Sequence, residues 1–132
     1  MLRRNVLVVE DDDIVRGLVI QILRERALAV DGARDGADAL HRIATRQYSL
    51  VILDLMMPHM SGVDFLDSLN VLTFDPTLKS IQQPPAVLVI TSAPEELVPS
   101  GELQRRFPMV RGVLRKPLDP ADLSRHVDAL LR

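Results

Sequence analysis

Four apolar runs in this chain each end on a polar residue able to handle a phosphoryl group. Val6-Leu7-Val8-Val9 runs into Glu10 and Asp11, Leu50-Val51-Ile52-Leu53 into Asp54, Ala86-Val87-Leu88-Val89-Ile90 into Thr91, and Val113-Leu114 through Arg115 into Lys116. Asp54 is placed to act as a nucleophile, since an aspartate can take a phosphoryl group to form a covalent acyl phosphate. Repulsion between anions opposes that step, and a cation must neutralise it. Mg²⁺ prefers oxygen ligands, with one or two carboxylates, some water and the phosphate itself. Glu10 and Asp11 meet that need, provided the first and third runs lie side by side. Charge developing on the remaining phosphoryl oxygens calls for preorganised donors, which Lys116 and the Thr91 hydroxyl can supply.

If the runs are parallel buried strands, all these groups sit on one edge of one sheet. An open α/β sheet binds its ligands outside the carboxyl ends of its strands, and all four runs end there. Between the runs the pattern becomes helical: Ile14, Val15, Leu18, Val19, Ile22 and Leu23 recur at spacings of three and four, and Leu40, Ile43 and Ala44 do so more weakly. Such alternation predicts an α/β fold, a doubly wound parallel sheet with helices on both faces, in which buried strands are continuously apolar. Strands are expected near 5–10, 28–31, 49–53, 86–90 and 110–114, and helices near 12–26, 35–46, 61–70, 95–106 and 119–131. Asp119 followed by Pro120 reads as an N-cap and a first-turn proline.

Two stretches are less regular. Asn70 to Pro85 is long for a helix-to-strand connection, most of which are about 2–6 residues, so part of it is expected to extend the third helix. Ala93 to Pro108 holds three prolines and Gly101, which should shorten or break the fourth helix, because proline removes a backbone donor and clashes with the preceding turn.

Composition narrows the function classes. A chain of 132 residues, 47 % hydrophobic and 26 % charged, suits one soluble domain, and no composition shift marks a linker or an output domain. A net charge of -2 offers no basic field for a nucleic-acid backbone, which argues for protein partners or small anions. Zero cysteines exclude disulfides and thiolate metal sites, and no apolar run approaches a membrane span or a signal peptide. A cytoplasmic location follows as the expectation.

Each residue also has an ordinary reading. Acids such as Asp11-Asp12-Asp13 before an apolar helix usually cap it, and Asp12 or Asp13 is expected to do so here. Asp54 alone would be a turn former, Thr91 a cap hydroxyl, and Lys116 a solvated charge. His41, His59 and His126 lack ligand-like spacing and read as surface residues, and Met56-Met57 reads as loop packing. What outweighs these readings is that all four strand ends carry a suitable group in a suitable chain order.

Those residues make the chain resemble the receiver domain of two-component response regulators over essentially all its length. The marks are Glu10-Asp11-Asp12 after the first strand, Asp54 in Asp-Leu-Met-Met-Pro, Ser61-Gly62 soon after, Thr91-Ser92-Ala93, and Lys116-Pro117. The resemblance implies a flavodoxin-like fold with strand order 2-1-3-4-5, and a phosphoryl group passed to Asp54 from a histidine kinase or histidine phosphotransfer protein. It further implies that Asp11 and Asp54 bind Mg²⁺ directly, with Glu10 helping through water and the Met56 carbonyl completing the protein ligands. Thr91 and Lys116 would contact the phosphoryl group, and a cis peptide would precede Pro117. A homodimer or a downstream protein target is the expected output, with neither nucleic acid nor membrane bound directly.

The chain departs from the family pattern in three places. The family usually has Tyr or Phe three residues before the lysine, an aromatic that changes rotamer when the threonine moves toward the phosphoryl group. Val113 stands there and cannot swing between buried and exposed poses as a ring does. The prolines around the fourth helix should reshape a surface that many receivers use for partners. Met56 and Ala93, which would flank the phosphoryl group, carry no side chain able to orient an attacking water, so slow self-dephosphorylation is expected rather than enzymatic turnover.

Three other functions compete with this switch. A receiver-like interaction or dimerisation module that no longer uses phosphate is favoured by Val113 and the interrupted fourth helix, and opposed by the complete set of site residues. A phosphohydrolase working through an aspartyl phosphate commonly needs a second acid two residues after the nucleophile, where this chain has Met56. A nucleotide-binding protein would show a Gly-rich phosphate loop after a strand, and none is present.

Overall fold

The computed structural model describes residues 4–73 and 84–131. Strands and helices alternate along them: β1 (Asn5–Val9), α1 (Asp13–Arg24), β2 (Ala29–Ala33), α2 (Gly36–Thr45), β3 (Leu50–Asp54), α3 (Gly62–Thr73), β4 (Ala86–Thr91), α4 (Ser100–Arg106), β5 (Val110–Arg115) and α5 (Pro120–Leu130). The five strands form one sheet in the order β2-β1-β3-β4-β5, and every pairing is parallel. This is the flavodoxin-like arrangement expected above. The crossover from β2 past β1 to β3 puts the ends of β1 and β3 side by side, with Val9 opposite Leu53.

Alternate residues of the central strands feed two separate cores. Leu7, Val9, Val51, Leu53, Val87 and Val89 pack with Phe65, Leu66, Leu69, Leu103 and Phe107 on one face. Val6, Val8, Leu50, Ile52, Leu88 and Ile90 pack with Val19, Leu23, Leu123 and Val127 on the other. Both faces are covered, so the strands need no polar alternation, and each fully buried aliphatic side chain contributes about 1.5–3 kcal/mol of transfer free energy.

Caps set the helix starts. Asp12 Oδ1 accepts from the amides of Ile14 at 2.9 Å and Val15 at 3.0 Å, which settles the choice between Asp12 and Asp13. Asp35 caps α2 by accepting from the Asp38 amide at 2.8 Å, and Asp119 caps α5 by accepting from the Ala121 amide at 2.9 Å, with Pro120 in the first turn.

Three element boundaries differ from expectation for identifiable reasons. β2 runs on through Gly32 to Ala33, past the expected end near 31. As an edge strand it tolerates polar positions, and the Asp31 carboxylate is satisfied by the Tyr48 hydroxyl at 2.7 Å and by Arg46 at 3.2 Å. α4 begins at Ser100 rather than near 95, because Pro94 and Pro99 supply no amide donors and residues 94–98 close a turn on the Pro94 carbonyl. α3 extends to Thr73, past the expected end near 70; the remainder of the long connection falls largely on residues outside those described.

Candidate functional site

Each site residue sits where its strand stops. The Glu10 amide donates to the Ala33 carbonyl at 3.1 Å, so the β1–β2 ladder continues one residue beyond β1 and fixes the Glu10 backbone. The guanidinium of Arg16, from the second turn of α1, donates to the Glu10 carbonyl at 2.9 Å. Asp54 is the last residue of β3, paired with Ile90, which makes Thr91 the next residue along the neighbouring strand. Beyond Asp54 the chain turns sharply back: the Gly62 amide donates to the Leu55 carbonyl at 2.9 Å. A Cβ at residue 62 would lie 2.6 Å from Leu55 Cα, so this return requires glycine.

Glu10 and Asp54 are 1 % and 2 % exposed and Thr91 is fully buried, whereas Asp11 is open to solvent. Ligand oxygens of Glu10, Asp11 and Asp54 lie within 4.8 Å of one another, the one such group of three or more metal-binding side chains among the described residues. Lys116 reaches in from the end of β5. Its Nζ donates to Glu10 Oε2 at 3.0 Å and lies 3.5 Å from Asp54 Oδ2. Burial pushes the Glu10 carboxyl up to about 7; its hydrogen bond from Lys116 lowers it and the Asp54 charge raises it further. Burial works against the charge of Lys116, but the carboxylates of Glu10 and Asp54 outweigh it and raise its pKa. The donor set is all oxygen, without thiolate or imidazole, which suits a hard divalent cation.

The structure therefore brings Glu10, Asp11, Asp54, Thr91 and Lys116 to one sheet edge. Met56 is adjacent: its amide donates to Asp54 Oδ1 at 3.0 Å while its side chain points into solvent. The Met56-Met57 pair thus splits, with Met57 buried in the core as loop packing and Met56 exposed. Thr91 Oγ1 accepts from the Ala93 amide at 3.1 Å, and the Lys116 amide donates to the Thr91 carbonyl at 2.8 Å, tying the ends of β4 and β5 together. The Lys116-Pro117 peptide is cis. His41 and His59 are exposed, and His126 is half-buried with Nδ1 2.8 Å from the Asp122 carbonyl of its own helix.

Two arginines escaped the sequence reading. Arg16 supports Glu10 through a backbone carbonyl, a contact for which residue spacing gives no sign. Arg115 carried a readable signal: strand alternation sends it to the opposite side of β5 from Lys116. There it donates to the carbonyls of Ala93 and Val98, both at 2.7 Å, and pairs with Glu95.

A doubly wound parallel sheet with carboxylates, a hydroxyl and an ammonium converging on its carboxyl edge defines a flavodoxin-like α/β domain with an acidic, cation-ready site. The chain belongs to the response regulator receiver domain family, whose model matches residues 6–128. Among curated proteins it is similar to Protein PetR of Rhodobacter capsulatus, 26 % identical over 132 residues that cover 97 % of this chain and 48 % of that protein. It is also similar to the transcriptional regulatory protein CutR of Streptomyces coelicolor, 46 % identical over 60 residues, covering 46 % of this chain and 28 % of that one. The chain spans about half the length of PetR, and its match to CutR covers less. Among solved structures, the signal receiver domain of a putative LuxO repressor protein from Vibrio parahaemolyticus superposes with a TM-score of 0.81 at 28 % identity, covering 98 % of this chain and 91 % of that one. The response regulator TrrA from Thermotoga maritima, solved in complex with Mg²⁺ and BeF, superposes with a TM-score of 0.76 at 23 % identity, covering 96 % of this chain and 98 % of that one. No helix among the described residues is long and apolar enough to cross a membrane.

Proposed function

We propose that this receiver takes a phosphoryl group from a phosphohistidine, on a histidine kinase or a histidine phosphotransfer protein, onto Asp54. The observation that carries the reading is the convergence of three carboxylates within 4.8 Å, with the Lys116 ammonium 3.5 Å from Asp54. Glu10, Asp11 and Asp54, with the Met56 carbonyl, would hold Mg²⁺. When bound, the ion offsets the negative charge of the carboxylates and of the incoming phosphoryl oxygens.

An Asp54 oxygen forms a bond to phosphorus as the phosphorus–nitrogen bond breaks, and the electron pair of that bond stays on the imidazole nitrogen. Asp54 is held for this by the Met56 amide on Oδ1 and by the rigid end of β3. Lys116 and Thr91 donate to the transferred group. Charge on the new acyl phosphate then shifts a two-state equilibrium that changes affinity for a downstream protein or a second copy, in a cytoplasmic relay. The domain is a phosphoryl acceptor with slow self-dephosphorylation rather than a metabolic enzyme. A complex of a similar fold with Mg²⁺ and BeF supports the reading.

Intact-mass measurement after incubation with Mg²⁺ and acetyl phosphate tests it. One phosphoryl adduct is expected on the wild type and none on Asp54→Asn. Equal labelling of both would remove Asp54 from its role. Absence of an adduct, with candidate phosphotransfer proteins and beryllofluoride also failing, would leave a phosphate-independent interaction module.

A further inference from the structure

The link from Asp54 to the protein surface needs a route other than residue 113, where Val113 has no ring to swing. A polar route is present two residues further along the same face of β5. Arg115, the last residue of that strand, donates through Nη1 to the Ala93 carbonyl at 2.7 Å, and through Nη2 to the Val98 carbonyl at 2.7 Å and to Ser100 Oγ at 3.1 Å. It also pairs with Glu95. Glu95 in turn accepts from the Ser100 amide at 2.9 Å and the Ser100 hydroxyl at 2.8 Å, which draws its carboxyl below the usual carboxylate range. One guanidinium therefore ties the loop from Ala93 to Val98, and Ser100, the first residue of α4, to β5.

The near end of this loop adjoins the proposed phosphoryl site through Thr91. The Ala93 amide is spent on Thr91 Oγ1 at 3.1 Å, and Thr91 stands at the end of the strand beside Asp54. A phosphoryl group on Asp54 would bring anionic oxygens that attract donors at the end of the neighbouring strand, the Thr91 hydroxyl and the Ala93 amide. Either response moves the backbone at Ala93. Its carbonyl is held by Arg115, whose own backbone is locked into β5 opposite Thr91. The guanidinium is planar and forks between acceptors, so a shift at Ala93 reorients it against Glu95, Val98 and Ser100 together. Leu97, at the crown of the same loop, is 75 % exposed and would be displaced with it.

We infer that Arg115 is a positioning residue that transmits the state of Thr91 and Ala93 to the loop 94–99 and the start of α4, in place of an aromatic switch at residue 113. This inference rests on the phosphoacceptor reading. The test uses amide NMR spectra of the full chain with and without Mg²⁺ and beryllofluoride, comparing wild type, Arg115→Ala, Arg115→Lys and Glu95→Gln. In the wild type, shifts are expected both around Asp54, Thr91 and Lys116 and at Leu97 to Leu103. In Arg115→Ala the site shifts persist and those at Leu97 to Leu103 are lost. Arg115→Lys, which keeps the charge but not the fork, and Glu95→Gln show them weakened; these variants decide the matter if Arg115→Ala does not fold. A lowered melting temperature with the full response at Leu97 to Leu103 retained means a purely structural arginine and overturns the inference. Failure of the wild type to bind the mimic overturns the phosphoacceptor reading and this one with it, whereas binding with equal responses in all four proteins overturns the role of Arg115 alone.

Discussion

Lys116 Nζ sits 3.0 Å from Glu10 Oε2, nearer than its 3.5 Å approach to Asp54 Oδ2, so before any phosphoryl transfer the ammonium serves chiefly as the counter-ion of a buried carboxylate. At the proposed Mg²⁺ site, lysine and the cation would compete for the Glu10 and Asp54 carboxylates. Removing the ammonium in Lys116→Ala leaves a more negative cluster, and Mg²⁺ should bind it as tightly as the wild type or several-fold tighter, a gain on the order of 1 kcal/mol. The response to beryllofluoride should be lost. Calorimetric Mg²⁺ titration checks the first half and NMR the second; a large drop in Mg²⁺ affinity would place Lys116 as a support of the metal site instead.

Tyr48 is the one tyrosine of the chain, and there is no tryptophan, so near-ultraviolet absorbance reports its ionisation directly. Burial, reinforced by the Asp31 carboxylate that its hydroxyl donates to at 2.7 Å, pushes it up to about 12. The folded state favours the neutral phenol, so this contribution to stability is fully present below pH 10 and lost as pH rises through about 12. Spectrophotometric titration of the folded protein should give a midpoint well above that of free tyrosine; a midpoint near 10 would mean the phenol is solvated. Tyr48→Phe should cost about 1.5 kcal/mol, the scale of a hydrogen bond to a charged group, in denaturant melts.

Two glycines should respond oppositely to alanine. Gly62→Ala puts a Cβ 2.6 Å from Leu55 Cα, where only backbone can yield, and should destabilise by about 1–3 kcal/mol while disturbing the loop after Asp54. Gly101, in α4, has nothing within 4 Å of an added Cβ, so Gly101→Ala should stabilise by about 0.4–1 kcal/mol through unfolded-state entropy. Chemical denaturation of both variants compares them directly; a stable Gly62→Ala would show that the return to Leu55 does not constrain the loop.

Hydrolysis of the acyl phosphate should be slow. The Met56 side chain points into solvent and Ala93 ends at Cβ, so neither holds a water in line with the phosphorus. Mass spectra of labelled protein, freed of phosphodonor and followed over time, should show the adduct persisting well beyond seconds. Loss within seconds would point to a water-orienting group elsewhere.

Much of this arrangement is legible in the residue order alone. Runs such as Leu50 to Leu53 are apolar at every position because both faces of the sheet are covered, and that periodicity survives in the residue order. The caps Asp12 and Asp119 likewise act within a few residues of where they stand. β2 was harder: Asp31-Gly32 has turn chemistry, and its acceptance in an edge strand depends on Tyr48, 17 residues away. The shortened α4 followed from its prolines in direction, while its start at Ser100 depended on the loop that Glu95 and Arg115 hold.

The sequence by itself determined which groups stand at strand ends, and so the kind of chemistry available, because residue type and strand polarity are local properties. The tertiary structure alone decided which of those groups meet. Strand order placed Glu10 beside Asp54, put Lys116 nearer the former than the latter, and turned Arg115 from an unremarked neighbour of Lys116 into the tie between β5 and the loop before α4. Contacts between residues 106 positions apart, such as Lys116 and Glu10, are fixed by packing of two covered sheet faces, and no local pattern encodes their distance.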